Sequence, residues 1–305
     1  MSRVSVVIPT YQRGDFLPRA IESVLEQDYR DAEVVVVDDN GDGSPYREGT
    51  RAAVAPYLGG RVRYIQNARN LGGALARNVG IEAAAGEYIT FLDDDDVYLP
   101  GKLSAQVAAM DEGGWDLSFM DFEYRDTGGR PLHAVTHDLP PHPDRRTLLR
   151  AHLIEHLTPT ASYMFRAGAL RAVGGFDAAH MAQEYLLMLK SIERGLSIGY
   201  VKRTGVANYV HPGERISTGP RKAAGEIELY ELKRRHFGVL TPAERRYVAS
   251  RHYATLFFVY FKRRELGRAL VAGMRAAASP ASAIRLLRER GAMMGSSPAG
   301  RGQPK

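Results

Sequence analysis

"EYITFLDDDDVYLPGKL", Glu87 to Leu103, runs an apolar, β-branched segment straight into four aspartates, Asp93 to Asp96. At an effective dielectric of about 20, two carboxylates about 5 Å apart repel by ~3 kcal/mol. A chain keeps such a row where water screens it, as in an acidic turn capping a helix that starts near Pro100. It also keeps one where a cation cancels the charge. The strand in front of the row distinguishes these uses, because it aims the carboxylates at one edge of whatever sheet it joins.

Three further stretches read as strands: "VSVVIP" (Val4–Pro9), "EVVVVDD" (Glu33–Asp39) and "RVRYIQ" (Arg61–Gln66). They are nearly continuous in apolar residues, as strands covered on both faces of a parallel sheet must be. Helical patterns separate them, at Leu17–Glu26, Tyr46–Pro56 and Gly73–Ala85. Strand–helix alternation of this kind predicts an α/β fold of βαβ units. In such sheets ligands sit beyond the carboxyl ends of the strands. Pro9–Arg13, Asp38–Ser44 and Asp93–Asp96 all fall at such ends.

From Trp115 onward the strands shorten ("WDLSFMDFEY", "TASYMFR", "SIGYVKR") and helices are expected in "RTLLRAHLIEHL" and "QEYLLMLKSIERG". Charge then changes sign. From Arg221 to the end there are 18 Lys and Arg against 6 Asp and Glu, whereas the first 220 residues are net acidic. The expected organisation is one domain over residues 1–220, its first half ending near residue 112, and a basic helical extension over 221–305 with a disordered last ten residues. The chain has no Cys, which excludes disulfides and thiolate metal sites. Its apolar runs, Val4–Ile8 and Tyr253–Phe261, are too short for a signal core or a membrane span, so a cytoplasmic protein is expected, at most lying at the inner face of the membrane.

In order, "VSVVIPTYQR", "VVVVDDNGDGS", "RNLGGALARNVGI", "EYITFLDDDDVYLPGKL" and "VGGFDAAHMAQEYLLMLKSIERG" resemble the motifs of the family-2 glycosyltransferases, over Ser2 to about Ser217. That resemblance implies a GT-A fold, a mostly parallel nucleotide-binding sheet flanked by helices, and an inverting transfer of sugar from a nucleotide-diphosphate sugar to an acceptor hydroxyl. It implies that Pro9, Thr10, Tyr11, Arg13 and Asp39 meet the nucleotide, with Asn70, Arg77, Asp93 and Asp94 around it. Asp95 would hold Mn²⁺ or Mg²⁺, with His211 as a second ligand or a pyrophosphate contact. Hard cations take one or two carboxylates and complete their shell with phosphate oxygens, which suits that role.

The general base of the family is the second residue of a Glu-Asp pair at a helix start. Here the pair reads Gln183-Glu184, which keeps the carboxylate and lengthens it by one methylene. Asp177 and Asp121 stand in reserve for the same task. Without the resemblance each of these residues has a plainer reading: Tyr11 as a rim aromatic, Arg77 as a surface arginine, Glu184 as a carboxylate on a helix N-terminus, His211 as a structural histidine. Trp115 and Tyr124 offer faces for an acceptor sugar, with Asp121 and Glu123 as hydrogen-bond partners; a free or lipid-linked saccharide is the acceptor class. The tail "YFKRRELGRALVAGMRAAASPASAIRLLRERGAMM" reads either as an amphipathic helix on an anionic membrane or as a solvated helix face. Nucleic acid is not an expected partner, since no known module accompanies the charge. Two rivals remain, a nucleotidyltransferase that makes nucleotide sugars and a non-catalytic nucleotide-sugar binder. "PTYQRGDF" stands where the former has a Gly-rich basic loop; the Gln183-Glu184 replacement keeps the latter open.

Overall fold

The valine-rich segments pair as their composition requires. A computed structural model describes residues 4–157, 159–179, 181–210 and 222–295. Its first half runs β1 (Val4–Thr10), α1 (Leu17–Leu25), β2 (Ala32–Asp38), α2 (Arg47–Val54), β3 (Val62–Gln66), α3 (Gly73–Ala83) and β4 (Tyr88–Phe91). Side chains alternate across a strand. Val4, Val6, Ile8, Val34 and Val36 therefore share a core with Leu17, Ala20, Ile21 and Val24, the i, i+3, i+4, i+7 face of α1. Val7 points the other way, against α3, where a Cβ on Gly80 would lie 2.2 Å from its Cγ1. Only glycine lets that helix approach so closely.

The second half adds β5 (Val97–Tyr98), α4 (Lys102–Gly113), β6 (Leu117–Arg125), β7 (Pro131–Val135), α5 (Arg145–Glu155), β8 (Met164–Arg166), α6 (Ala167–Ala172), α7 (Gln183–Glu193) and β9 (Ile198–Tyr209). The strands form one sheet in the order β3-β2-β1-β4-β8-β6-β9-β5, with β7 beside β6. Pairing is parallel from β3 to β4 and again between β6 and β9, and antiparallel elsewhere. The mostly parallel sheet expected from sequence is thus parallel throughout its first half, β3 to β4, and mixed beyond it. Lys102 is fully buried under this second half: Nζ donates to Thr90 Oγ1 at 2.6 Å and lies 4.1 Å from the Tyr98 ring centroid. Burial holds its ammonium well below the ordinary lysine range.

The helices α8 (Lys222–Arg235), α9 (Pro242–Lys262), α10 (Leu266–Ala277) and α11 (Pro280–Gly295) follow. A capping box starts α9: Thr241 Oγ1 accepts from the Glu244 N–H, and Glu244 Oε2 accepts from the Thr241 N–H at 2.8 Å. The basic tail is therefore three helices, broken at Arg263–Glu265 and again before Pro280, where sequence suggested one. Two compact units result, one comprising Met1–Arg145, Leu157–Ala179 and Gln183–His211, the other Arg146–His156, His180–Ala182 and Pro212–Lys305. Helix α5 falls in the second unit, where a single boundary at residue 220 had put it in the first. The cause is its apolar side, since Leu153 and Ile154 bury with Leu240, Tyr247 and Val248. The last ten residues, expected to be disordered, lie outside the described residues.

Candidate functional site

Parallel pairing of β2, β1 and β4 brings three loops to one edge, all within the first unit. Thr10 lies opposite Asp38, and Val7 opposite Phe91, so the segments that follow leave the sheet side by side. Asp38, wholly buried, accepts from the backbone and side-chain nitrogens of Asn40 at 2.9 and 2.7 Å and from the Tyr64 hydroxyl. Asn40 Oδ1 in turn accepts from the Gln12 N–H at 2.9 Å, fixing a turn in which Gln12 takes a positive φ of 58°. A non-glycine residue there is held by its surroundings. The turn buries Thr10, half-buries Pro9 and leaves Tyr11 and Arg13 exposed at the rim.

Asp39, expected to contact the base, makes three hydrogen bonds within the protein. Its Oδ1 accepts from Asn67 Nδ2 at 2.8 Å and the Leu71 N–H at 2.9 Å, and its Oδ2 from the Gly72 N–H at 2.8 Å. With 2% of the residue exposed, the carboxylate clamps the loop that leads into α3. Asn70 is carried on that loop, exposed. Gly72 at its end has φ 83°, so the turn is built on a glycine, as the "LGG" reading supposed.

The four aspartates divide by twos. Asp94 and Asp96 are buried, 5% exposed each. Burial, with the charge of Asp95 behind it, pushes the Asp94 carboxyl up to about 7, although the Thr10 hydroxyl and Arg13 pull it down. Burial and the neighbouring aspartates likewise push Asp96 well above the ordinary range, while its Oδ1 accepts from the Tyr209 N–H at 2.9 Å. Asp93 and Asp95, two residues apart, are only partly buried, and each meets an arginine. Arg77 bonds Asp93, and Arg13 bonds Asp95 and stands 3.6 Å from Asp94. Protonation in the interior and guanidinium at the rim thus relieve most of the repulsion that the sequence raised.

Arg77 joins the row to α7. Besides Asp93 it donates to Gln183 Oε1 at 3.1 Å, and its guanidinium lies 5.5 Å from the Phe176 ring centroid. Asn78, next in the helix, pins Phe176 by a reciprocal pair of 2.8 Å bonds to its N–H and C=O. Glu184 follows Gln183 in the first turn of α7, and burial raises its carboxyl above the usual glutamate range, against Arg77, which lowers it. Glu184 thus stands next to Gln183, with Arg77 and Asp93 as its charged neighbours.

The reserve carboxylates are committed elsewhere. Asp121 is buried and accepts from the Tyr200 hydroxyl at 2.7 Å, and Asp177 pairs outward with Lys190 at 2.8 Å. Trp115 is a core residue whose Nε1 donates to His142 Nδ1 at 3.0 Å, so no acceptor stacks on it. Glu123 pairs with Arg125, and Tyr124 tilts against His133. His211 lies outside the described residues, as does Ser217. Two contributors escaped the sequence reading. Arg19 donates to the Asp95 carbonyl at 2.8 Å while lying over the Tyr209 ring, and Asn40 sets the Gln12 turn. An arginine inside an amphipathic helix and an asparagine in a Gly-rich turn carry no local signal of such roles.

Among the described residues no three His, Asp or Glu gather into a ready-made metal cage. Hard cations such as Mn²⁺ or Mg²⁺ also bind in another way, through one or two carboxylate oxygens with the remaining positions filled by water and phosphate. The carboxylates of the row that could serve so are the partly buried Asp95 and Asp93, each now paired with an arginine.

Comparison with known proteins places these residues in a family. The model described as Glycosyl transferase family 2 matches residues 5–173. A protein of Escherichia coli named as a colanic acid biosynthesis glycosyl transferase is 29% identical over 250 residues, covering 80% of this chain and 85% of that one. The GalNAc(5)-diNAcBac-PP-undecaprenol beta-1,3-glucosyltransferase of Campylobacter jejuni is 36% identical over 116 residues, covering 37% of this chain and 36% of its own length. The crystal structure of Staphylococcus aureus TarS residues 1–349 in complex with UDP-GlcNAc superposes with a TM-score of 0.59 at 18% identity, over 89% of this chain and 90% of that one. The last supports the expected GT-A architecture.

Proposed function

Because the chain belongs to glycosyl transferase family 2 and is therefore a glycosyltransferase, we propose that its first unit moves a sugar from a nucleotide-diphosphate donor to an acceptor hydroxyl with inversion at the anomeric carbon. The observation that carries this reading is that Arg77 joins Asp93 to Gln183, the residue before Glu184, at the sheet edge where the Thr10–Arg13 turn also lies. Tyr11 offers the base a flat face. Arg13 and Arg77 face the diphosphate, and Asp93 is oriented by Arg77 toward the ribose or the donor sugar. Glu184 accepts the proton of the acceptor hydroxyl as that oxygen bonds to the anomeric carbon. The bond from carbon to diphosphate oxygen breaks in the same step, and its electron pair leaves with the nucleotide diphosphate. Bound at Asp95, Mn²⁺ or Mg²⁺ would supply Lewis-acid neutralisation of that leaving group. A raised carboxyl suits the base, since proton transfer is most effective when the acceptor's pKa nears the working pH.

The relatives' names point to cell-surface polysaccharide or glycoconjugate synthesis, with a lipid-linked saccharide among the acceptors. The UDP-GlcNAc of the structural relative makes uridine donors the first to try. No helix among the described residues is long and apolar enough to cross a membrane. A cytoplasmic enzyme meeting its acceptor at the membrane surface is the corresponding reading.

Titration calorimetry with nucleotide sugars, with and without Mn²⁺, combined with a transfer assay, tests these roles. Asp95→Ala should lose the Mn²⁺-dependent part of donor binding. Glu184→Gln should bind donor as the parent does and turn over at least ~10²-fold more slowly. Unchanged Mn²⁺-dependent binding in the first variant removes the metal from Asp95, and retained turnover in the second removes the base from Glu184.

A further inference from the structure

Helix α10 packs inside out. Its buried residues are the small Ala269 and Ala272, with Gly273 against the Phe257 ring of α9. Its large apolar residues point to solvent: Leu266 is 63% exposed, Leu270 64%, Val271 45% and Met274 58%. At 100° per residue these four span one continuous arc of about 140°, and Arg268 and Arg275 border it on one side. A helix folded only to cover the core of the second unit would turn that arc inward.

The surroundings are basic. From Lys262 to Arg288 the chain carries Lys262, Arg263, Arg264, Arg268, Arg275, Arg285 and Arg288 against one acid, Glu265. The same turns of α10 line a cavity of about 710 Å³ with Tyr253 and Tyr260 of α9, into which Arg268 and Arg275 also face. Tyrosine and arginine around an opening beside an aliphatic stripe match the boundary between acyl chains and phosphate headgroups, where amphipathic rings and guanidinium groups both find partners. A second copy of the chain fits less well, because it would set these seven cations against seven more.

We propose that α10 docks the protein on an anionic bilayer, with Leu266, Leu270, Val271 and Met274 entering the acyl boundary and Arg268 and Arg275 meeting lipid phosphates. Attachment of this kind lies on the membrane and does not span it. It is independent of the reading of the first unit, because neither sugar transfer nor donor binding enters the argument.

Sedimentation of the full chain with phosphatidylcholine vesicles, with and without phosphatidylglycerol, tests it. The parent should bind the anionic vesicles and not the neutral ones, and release as salt rises. Leu270→Glu combined with Met274→Glu should weaken binding by more than about tenfold, and Arg268→Ala with Arg275→Ala by about tenfold or more. Both apolar positions are more than half exposed, so the melting temperature and donor affinity should stay at parent values. Failure to sediment with anionic vesicles, equal sedimentation with neutral ones, or parent-like binding by the Glu variant would overturn the proposal. So would a parent dimer in light scattering that the Glu variant converts to monomer, since the arc would then belong to a second copy.

Discussion

Replacing Asp94 by Asn should stabilise the protein above neutral pH and leave it unchanged in acid. Asp94 is almost wholly buried beside Asp95 and Asp93, and its carboxyl rises from the ordinary 3.8 to about 7. The folded chain therefore holds this proton more tightly than the unfolded chain. The stabilisation is complete below pH ~4, declines as pH rises and is gone above pH ~7. A rise of about three pH units at ~1.4 kcal/mol each makes ionisation cost on the order of 4 kcal/mol at pH 8, which includes what Arg13 and Thr10 give back. Asparagine is nearly isosteric with the neutral acid and has no charge to bury. At 2–4 °C per kcal/mol for a unit of this size, the melting point should rise by about 10 °C at pH 8 in metal-free buffer. At pH 4 the two proteins should melt together. Calorimetric scans at both pH values with EDTA read this directly. A gain of equal size at both, or none at pH 8, would show that Asp94 is not held toward its neutral form and that the row is relieved in another way.

Two further substitutions probe the frame around that row. Arg77→Lys leaves one cation where a planar fork now serves Gln183 and Asp93 together, so kcat/KM should fall by about 10²-fold with little change in unfolding midpoint; near-parental kinetics would place Arg77 outside the machinery. Gly80→Ala puts a methyl 2.2 Å from Val7 Cγ1, and should cost about 1–3 kcal/mol in urea unfolding although alanine is the better helix former. Parent-like stability would mean that α3 and β1 are less closely packed than described.

The frame of the fold was written in periodicity. Runs such as Val34–Val37 leave no other element type, and the predicted strands and helices of the first half are present in order with ends shifted by only one to a few residues. The edge at which Thr10, Asp38 and Asp93 gather followed from that alone, since parallel strands align their carboxyl ends. What the sequence hid was the direction each polar group faces. Asp38, Asp39, Asp94 and Asp96 are all aspartates at strand ends, yet all four point into the protein, and only the full set of neighbours says so. Lys102 gave no sign that it would be sealed in, because the Thr90 and Tyr98 side chains that receive it lie on two other elements. Trp115 read as a candidate sugar platform for the same reason: a ring that packs at the start of β6 and one that lines a cleft are spelled alike. Helix α5 was misplaced because its partners, Leu240 and Val248, come some ninety residues later.

The contact between Gly80 and Val7 has a bearing beyond stability. Gly80 and Arg77 sit one turn apart on α3, so the depth to which that helix seats on the sheet also sets how far the guanidinium extends over Asp93. A missing methyl group works as a gauge, translating core tolerance into the placement of an active-edge cation. Laboratory selection for a new donor would then find useful changes in the interior under α3 as well as in the loops that touch the ligand.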